Sequence, residues 1–330
     1  MHIPLNSRFC QRFDLRSPVA LAPMALAAGG ALAAACARAG ALGLVGGGYG
    51  ELAWTQREYA LALAQAAADT ERIGCGFIVW KLDQDASALD WVLERKPRAI
   101  MLSFGDPRPY AQRVAAAGAE LLLQVQRLEQ VPIALEAGAT VIIGQGGEAG
   151  GHGMHALKAR ATITLVPELA DWLAAHSPQT LLLAAGGVAD GRTLAAVRVL
   201  GADGALVGSR LWATQESLAQ AGAKQLAVAT NGDGTARSSV FDILRRKDWP
   251  APYDFRAIRN DLHRKWEGKL AASHPSVEEA RADYDAGVQA GDFTRAHATV
   301  GEAVGLIHDL PPAAEVIERM TAGAAQILGA

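Results

Sequence analysis

Leu181-Leu182-Leu183-Ala184-Ala185-Gly186-Gly187-Val188-Ala189-Asp190 and Gly201-Ala202-Asp203-Gly204-Ala205-Leu206-Val207-Gly208-Ser209 each hold a short apolar run that stops at glycine. The segment between them is patterned as a helix. Apolar runs without polar alternation suit strands covered on both faces, and the connection is long enough for a crossover helix between parallel strands. Working outward from Leu181 to Ala185 and Ala205 to Gly208, the same unit recurs upstream. The earlier runs are Val19 to Ala22, Leu42 to Gly46, Ile73 to Trp80, Ala99 to Ser103, Leu121 to Val125 and Thr140 to Gln145. Eight strand-helix units predict an α/β fold, a closed (β/α)8 TIM barrel, with its site at the carboxyl ends of the strands.

Punctuation along the chain agrees with that count. Gly40, Gly118, Gly138 and Gly201 each follow an alanine-rich segment and precede a strand, where glycine ends a helix by taking a left-handed conformation. Asp190 is placed to cap the helix after the seventh strand. The uncharged stretch Val19 to Ala37, preceded by Arg8, Arg12 and Arg16, has the outline of a signal peptide. Its alanine content, Pro23 and the pair Gly29-Gly30 fit a strand followed by a buried barrel helix better, since its drive into a bilayer is weak. No membrane association is expected.

The chain has 330 residues and a formal net charge of -3, with acids and bases mixed along it. Its longest basic run, Arg245-Arg246-Lys247, reads as a solvated turn and not as a nucleic-acid patch. Cys10, Cys36 and Cys75 lack the spacing of a zinc site or a disulfide framework, which fits a reducing cytoplasm. After about Ala213 the rhythm changes to charged, tryptophan-containing helical sequence. The organisation expected is a barrel over residues 1–213, a smaller helical subdomain over 214–299 inserted after the eighth strand, and a segment 300–330 returning to cover the barrel. Trp80, Trp212 and Trp249 read as ordinary core or as pocket wall.

Glycine-rich ends on two adjacent strands, Gly186-Gly187-Val188 and Gly208-Ser209, expose backbone amides beside the start of a short helix, an arrangement that binds phosphate in this fold. No Gly-x-Gly-x-x-Gly follows a strand, which argues against a Rossmann site. The densest glycine cluster, Gly144 to Gly153, ends the sixth strand. So much glycine is entropically costly to order, and a flat ligand lying against bare backbone would account for it. His152 is expected to project from this loop over the barrel mouth as a proton acceptor, hydrogen-bond donor or anion partner. His155 reads as a bystander, and Glu148 as a residue that orients backbone.

These segments resemble the nitronate monooxygenases, formerly called 2-nitropropane dioxygenases, over nearly the whole chain. Ala22-Pro23-Met24 resembles the family's first-strand loop, and Glu148-Ala149-Gly150-Gly151-His152 its segment with the active-site histidine. The stretches from Ala185 to Gly191 and Gly201 to Arg210 are similar to its FMN phosphate region. Ala213 to Ser217 and Gly301 to Gly305 are similar to the segments leading into and out of its helical domain.

The resemblance implies an FMN-dependent oxidoreductase that oxidises a nitronate or nitroalkane with oxygen to a carbonyl compound and nitrite, as a monomer or homodimer. It assigns His152 to catalysis. Ala22, Pro23, Met24, Gln124, Gln145, Gly150, Gly151, Gly186, Gly187, Val188, Gly208 and Ser209 are assigned to the cofactor. An alternative on the same flavin barrel is NAD(P)H-dependent reduction of a quinone or enoyl compound. Three positions depart from the family pattern: Gly74 to Trp80 lacks the asparagine many members carry, Gly144 replaces a commoner alanine, and Gly153-Met154 stand where arginine is frequent.

Overall fold

The computed structural model describes residues 5–329; residues 1–4 and 330, which belong to the expected barrel and returning segments, lie outside the described residues. All eight expected strands form. They are β1 (Val19–Leu21), β2 (Gly43–Gly48), β3 (Ile73–Ile78), β4 (Ala99–Ser103), β5 (Glu120–Val125), β6 (Val141–Gln145), β8 (Leu181–Ala185) and β9 (Gly204–Val207). β7 (Gly151–Met154) lies between the sixth and seventh barrel strands in sequence but outside the barrel. The eight strands are parallel in the order β1-β9-β8-β6-β5-β4-β3-β2, and a parallel bridge from Ala20 to Leu42 closes the ring. The fold is therefore a (β/α)8 barrel.

Both faces of these strands are apolar because each faces a different core. Ala20, Leu44, Met101, Leu122, Ile143, Leu183 and Leu206 fill the barrel interior. Alternate residues such as Val19, Val45, Leu102, Leu123, Ile142 and Val207 pack against the surrounding helices. The helix Arg8–Phe13, which the sequence pattern did not reveal, adds Phe9 and Phe13 to the interior cluster and so plugs the barrel. Gly40, Gly118, Gly138 and Gly201 all have positive φ, at 85°, 74°, 84° and 97°. Asp190 accepts a hydrogen bond from the Thr193 amide at 2.9 Å, capping the helix Gly191–Val199. The stretch Val19 to Ala37 is β1 followed by the buried helix Gly30–Arg38, and no helix among the described residues is long and apolar enough to cross a membrane.

Segment 214–299 departs from the helical expectation. It contains β10 (Thr235–Ser238) and β11 (Tyr253–Ile258), which form an antiparallel sheet in the order β10-β11-β7. The strands were hidden because they carry Arg237, Asp254 and Arg256 in place of an apolar run. β7 was hidden because glycine dominates it; the glycine-rich loop leaves the barrel and becomes the third strand of this small sheet.

In the last segment, the helix Ala313–Leu328 lays Val316, Ile317, Met320 and Ala324 onto the barrel's outer core. It approaches the helix Gly191–Val199 so closely that a Cβ on Gly191 would lie 2.7 Å from the backbone of Gly323. Gly191→Ala should therefore lower stability by about 1–3 kcal/mol through overpacking, read as a reduced urea midpoint. An unchanged midpoint would refute a tight seam between these helices.

Candidate active site

At the carboxyl ends of the barrel strands, beneath the small sheet, lies a cavity of about 770 Å³. Every residue assigned above to catalysis or to the cofactor lines it. One wall is nearly bare main chain. Gly186 and Gly187 both adopt positive φ, 97° and 79°, and a Cβ on Gly187 would meet nothing within 4 Å. Among the described residues, no backbone carbonyl outside the regular elements accepts from the Gly187 or Val188 amide, and the first-turn amides of the helix Ser209–Trp212 have no intrahelical acceptor. Across from them, a Cβ on Gly208 would stand 3.7 Å from the Ala22 Cβ and 3.8 Å from the Met24 sulfur. Pro23 sits against β3: a Cβ on Gly76 would lie 2.2 Å from its ring. The third strand thus presents no side chain at that point because proline occupies the space.

The Glu148 to Gly151 backbone is pinned from three sides. Glu148 accepts from the Thr162 amide at 3.0 Å and the Thr162 hydroxyl at 2.9 Å, holding the start of the helix Thr162–His176. A Cβ on Gly150 would lie 2.5 Å from the Val300 carbonyl carbon, so the two chains cross at backbone distance. The buried Arg237 guanidinium donates to the carbonyls of Ala149 (2.6 Å), Gly151 (3.1 Å) and Asp254 (2.7 Å). At two of the departures, a Cβ on Gly153 would meet the same guanidinium at 3.0 Å, and one on Gly144 would meet the end of the Leu169 side chain at 2.6 Å.

Gln145 is committed to the protein at both ends of its amide. Its oxygen accepts from Gln124 (3.1 Å) and Gln126 (3.0 Å), and its nitrogen donates to the His152 carbonyl (3.0 Å). This ties β5, β6 and β7 together at the floor of the cavity. Ser209 accepts from the Gly301 amide at 2.8 Å, joining the eighth strand's end to the returning chain.

His152 does not sit in a loop. It lies on β7, paired in register with Phe255 of β11. Its Nε2 is 2.8 and 3.0 Å from the two carboxylate oxygens of Asp242, and the Trp249 ring stacks on the imidazole at 3.4 Å and 11°. Phe104, itself at φ 62°, and Phe255 close around it with ring centroids 6.5 and 4.7 Å away. His155 lies on the half-exposed side, 3.5 Å from Asp254.

Burial dominates the electrostatics of the His152–Asp242 pair. It holds the imidazole well below its ordinary range, helped by the positive charges of Arg245 and Arg237. It pushes the Asp242 carboxyl up to about 7, against the pull of Arg245, whose nearest nitrogen is 3.8 Å away. Both groups are driven towards their neutral forms, and they titrate as a unit. The Arg245-Arg246-Lys247 run does form a turn with Arg246 exposed, but all three residues also line the cavity, and Arg245 donates to the Tyr49 hydroxyl at 3.3 Å. Of the tryptophans read as core or pocket wall, Trp212 and Trp249 line the cavity, and Trp212 also packs into a core cluster. Asp242 escaped sequence reasoning, and the roles of Arg245 and Trp249 beside His152 with it, because nothing local marks residues that meet the histidine from about ninety positions downstream.

A family profile described as "Nitronate monooxygenase" matches residues 6–323. A protein named nitronate monooxygenase from Neurospora crassa is 31% identical over 341 residues, covering 92% of this chain and 88% of its own. Among solved structures, FabK from Thermotoga maritima is similar with a TM-score of 0.81 at 24% identity, covering 98% of both chains. A nitroalkane oxidase from Streptomyces ansochromogenes is similar at 0.79 and 23% identity, covering 97% of this chain and 99% of its own. These last two likenesses bear on the fold, whereas the family match and the fungal relative bear on kinship. The chain is a member of the nitronate monooxygenase family of oxidoreductases.

Proposed function

We propose that this enzyme oxidises alkyl nitronates with FMN and oxygen, yielding a carbonyl compound and nitrite, and that His152 handles the proton and the negative charge of the substrate. The observation that carries the reading is the His152–Asp242 pair, stacked under Trp249 and opening onto the same cavity as the bare rims at Gly186-Gly187 and Gly208-Ser209. The similarity to the fungal nitronate monooxygenase supports it.

The residues present fit a flavin mononucleotide. The open space over Gly187, the Val188 amide and the first turn from Ser209 would hold its phosphate. Ala22, Pro23, Met24, Gln124, Gln145, Gly150 and Gly151 would lie along its ring, where glycine lets backbone approach closely. The cavity volume is within the range of ligand sites, roughly 300–1,000 Å³. When bound, FMN supplies the two-electron oxidation and the reaction with oxygen.

The chain's own part is to place one proton. With Asp242 ionised, the imidazole donates Nε2–H to it and leaves a lone pair on Nδ1, which can take the α-proton of a neutral nitroalkane. With Asp242 protonated, the carboxyl donates to Nε2 and Nδ1 carries the proton, a hydrogen-bond donor for an anionic nitronate. Trp249, Phe104 and Phe255 keep water from the ring, which strengthens either interaction.

The sign of the pH dependence follows. Because Asp242 ionises near 7, kcat/KM for a neutral nitroalkane should rise as pH passes upward through that value, while a preformed nitronate should not gain. Profiles that rise equally for both would count against a tautomer set by Asp242. Asp242→Asn, whose amide donates to Nε2 and locks the proton on Nδ1, should cost about 10²-fold or more with 2-nitropropane while largely sparing propyl-2-nitronate. His152→Asn should leave a folded yellow protein with turnover lowered about 10²-fold or more on both; unchanged turnover would remove His152 from the mechanism.

The cofactor and donor are tested by the visible spectrum of the purified protein and by anaerobic mixing. Propionate 3-nitronate is expected to bleach the flavin quickly, and NADH or NADPH is not. Rapid bleaching by a nicotinamide alone would make the protein a reductase, and a colourless protein that refuses FMN would overturn the whole reading.

A further inference from the structure

A second imidazole faces the same cavity. His297 belongs to the segment just before the returning chain and lines the cavity, its ring centroid 5.7 Å from that of Phe255. Phe255 in turn lies 4.7 Å from His152, so both imidazoles pack near one aromatic ring. Tyr284, from the helix Val277–Ala290, reaches His297 Nδ1 with its hydroxyl at 2.6 Å. That phenol has a proton to place, and Nδ1 is its acceptor among the described residues. With the phenol donating, Nδ1 is the acceptor and the imidazole proton stands on Nε2. Nε2 has no hydrogen-bond partner among the described residues, yet it is not among the buried polar atoms left unpaired, so it is reached from the cavity that the residue lines.

We propose that His297 is a further catalytic residue of this enzyme, its Nε2–H donating a hydrogen bond to an oxygen of the substrate's planar two-oxygen anion, opposite the group served by His152. The inference rests on the nitronate reading above and adds to it a fixed donor. Burial, with the charge of Arg245 and the neighbouring His152, pushes His297 down to about 3, and burial keeps the Tyr284 phenol protonated up to about 12. The donor is therefore neutral throughout the working range. The two imidazoles divide the labour: one changes its proton with pH, the other keeps its own. A preorganised neutral donor aimed at developing negative charge needs no rearrangement when that charge forms.

Imidazole ¹⁵N NMR of the FMN-loaded wild-type enzyme tests this without any turnover. The His297 signal is assigned by its loss in His297→Gln. It should show the neutral Nε2–H form from pH 5 to pH 9, and it should shift on addition of isobutyrate, a non-reacting isostere of propyl-2-nitronate. A Nδ1–H form, or isobutyrate binding that perturbs the flavin spectrum and leaves this signal unmoved, would overturn the proposal.

Turnover gives an independent arm. His297→Leu should lower kcat/KM for propyl-2-nitronate about 10²-fold, whereas His297→Gln, which restores an N–H at similar reach, should stay within about tenfold of the parent. Equal losses in the two variants would make His297 a packing residue. Failure of the parent enzyme to oxidise any nitronate would instead sink the underlying functional reading, and it would be seen before any variant is made.

Discussion

The site depends on one close crossing of main chain. Between Glu148 and Gly151 the backbone passes against Val300 and Gly301 at distances that exclude any side chain, and the Arg237 guanidinium gathers its carbonyls from the other side. Withdrawing a guanidinium from water is costly unless its donors are used, and here the Nη1 and Nη2 donors of Arg237 fix a segment that has little conformational preference of its own. The crossing turns the chain out of the barrel and into register with Tyr253–Ile258. That register, and not the loop's sequence, sets the direction of the His152 ring.

The charge arrangement follows from the same geometry. The small sheet and Trp249 cover the imidazole, so its environment is dry, and burial outweighs the nearby arginines in deciding which groups ionise. Asp242 sits at the balance point: desolvation raises it and Arg245 lowers it. The barrel side contributes a rim of backbone amides and, through β7, His152, whereas the inserted segment contributes Asp242, Arg245 and Trp249. The cavity is complete only where the two meet.

Much of the barrel was legible because its signals are local. Strands covered on both faces give unbroken apolar runs, and glycine at Gly40, Gly118, Gly138 and Gly201 marks helix ends by a conformation other residues avoid. The cavity-lining residues on strand ends could be picked out for the same reason, since bare glycine next to a strand has few other uses. What stayed hidden is non-local. β7 has no apolar pattern, β10 and β11 alternate with charge, and the Arg8–Phe13 helix shows its purpose only once the barrel interior exists to receive Phe9 and Phe13. Asp242, Arg245, Trp249, Tyr284 and His297 meet the barrel residues through folding alone, and in the chain each sits in an ordinary charged or aromatic context.

The plug formed by Phe9 and Phe13 has a further consequence. With the barrel's interior filled from below by these rings and above them by Met101, Leu122 and Ile143, no passage runs along its axis. Whatever fills the cavity must therefore reach it from the carboxyl side of the barrel, because the floor on the other side is sealed by aromatic side chains.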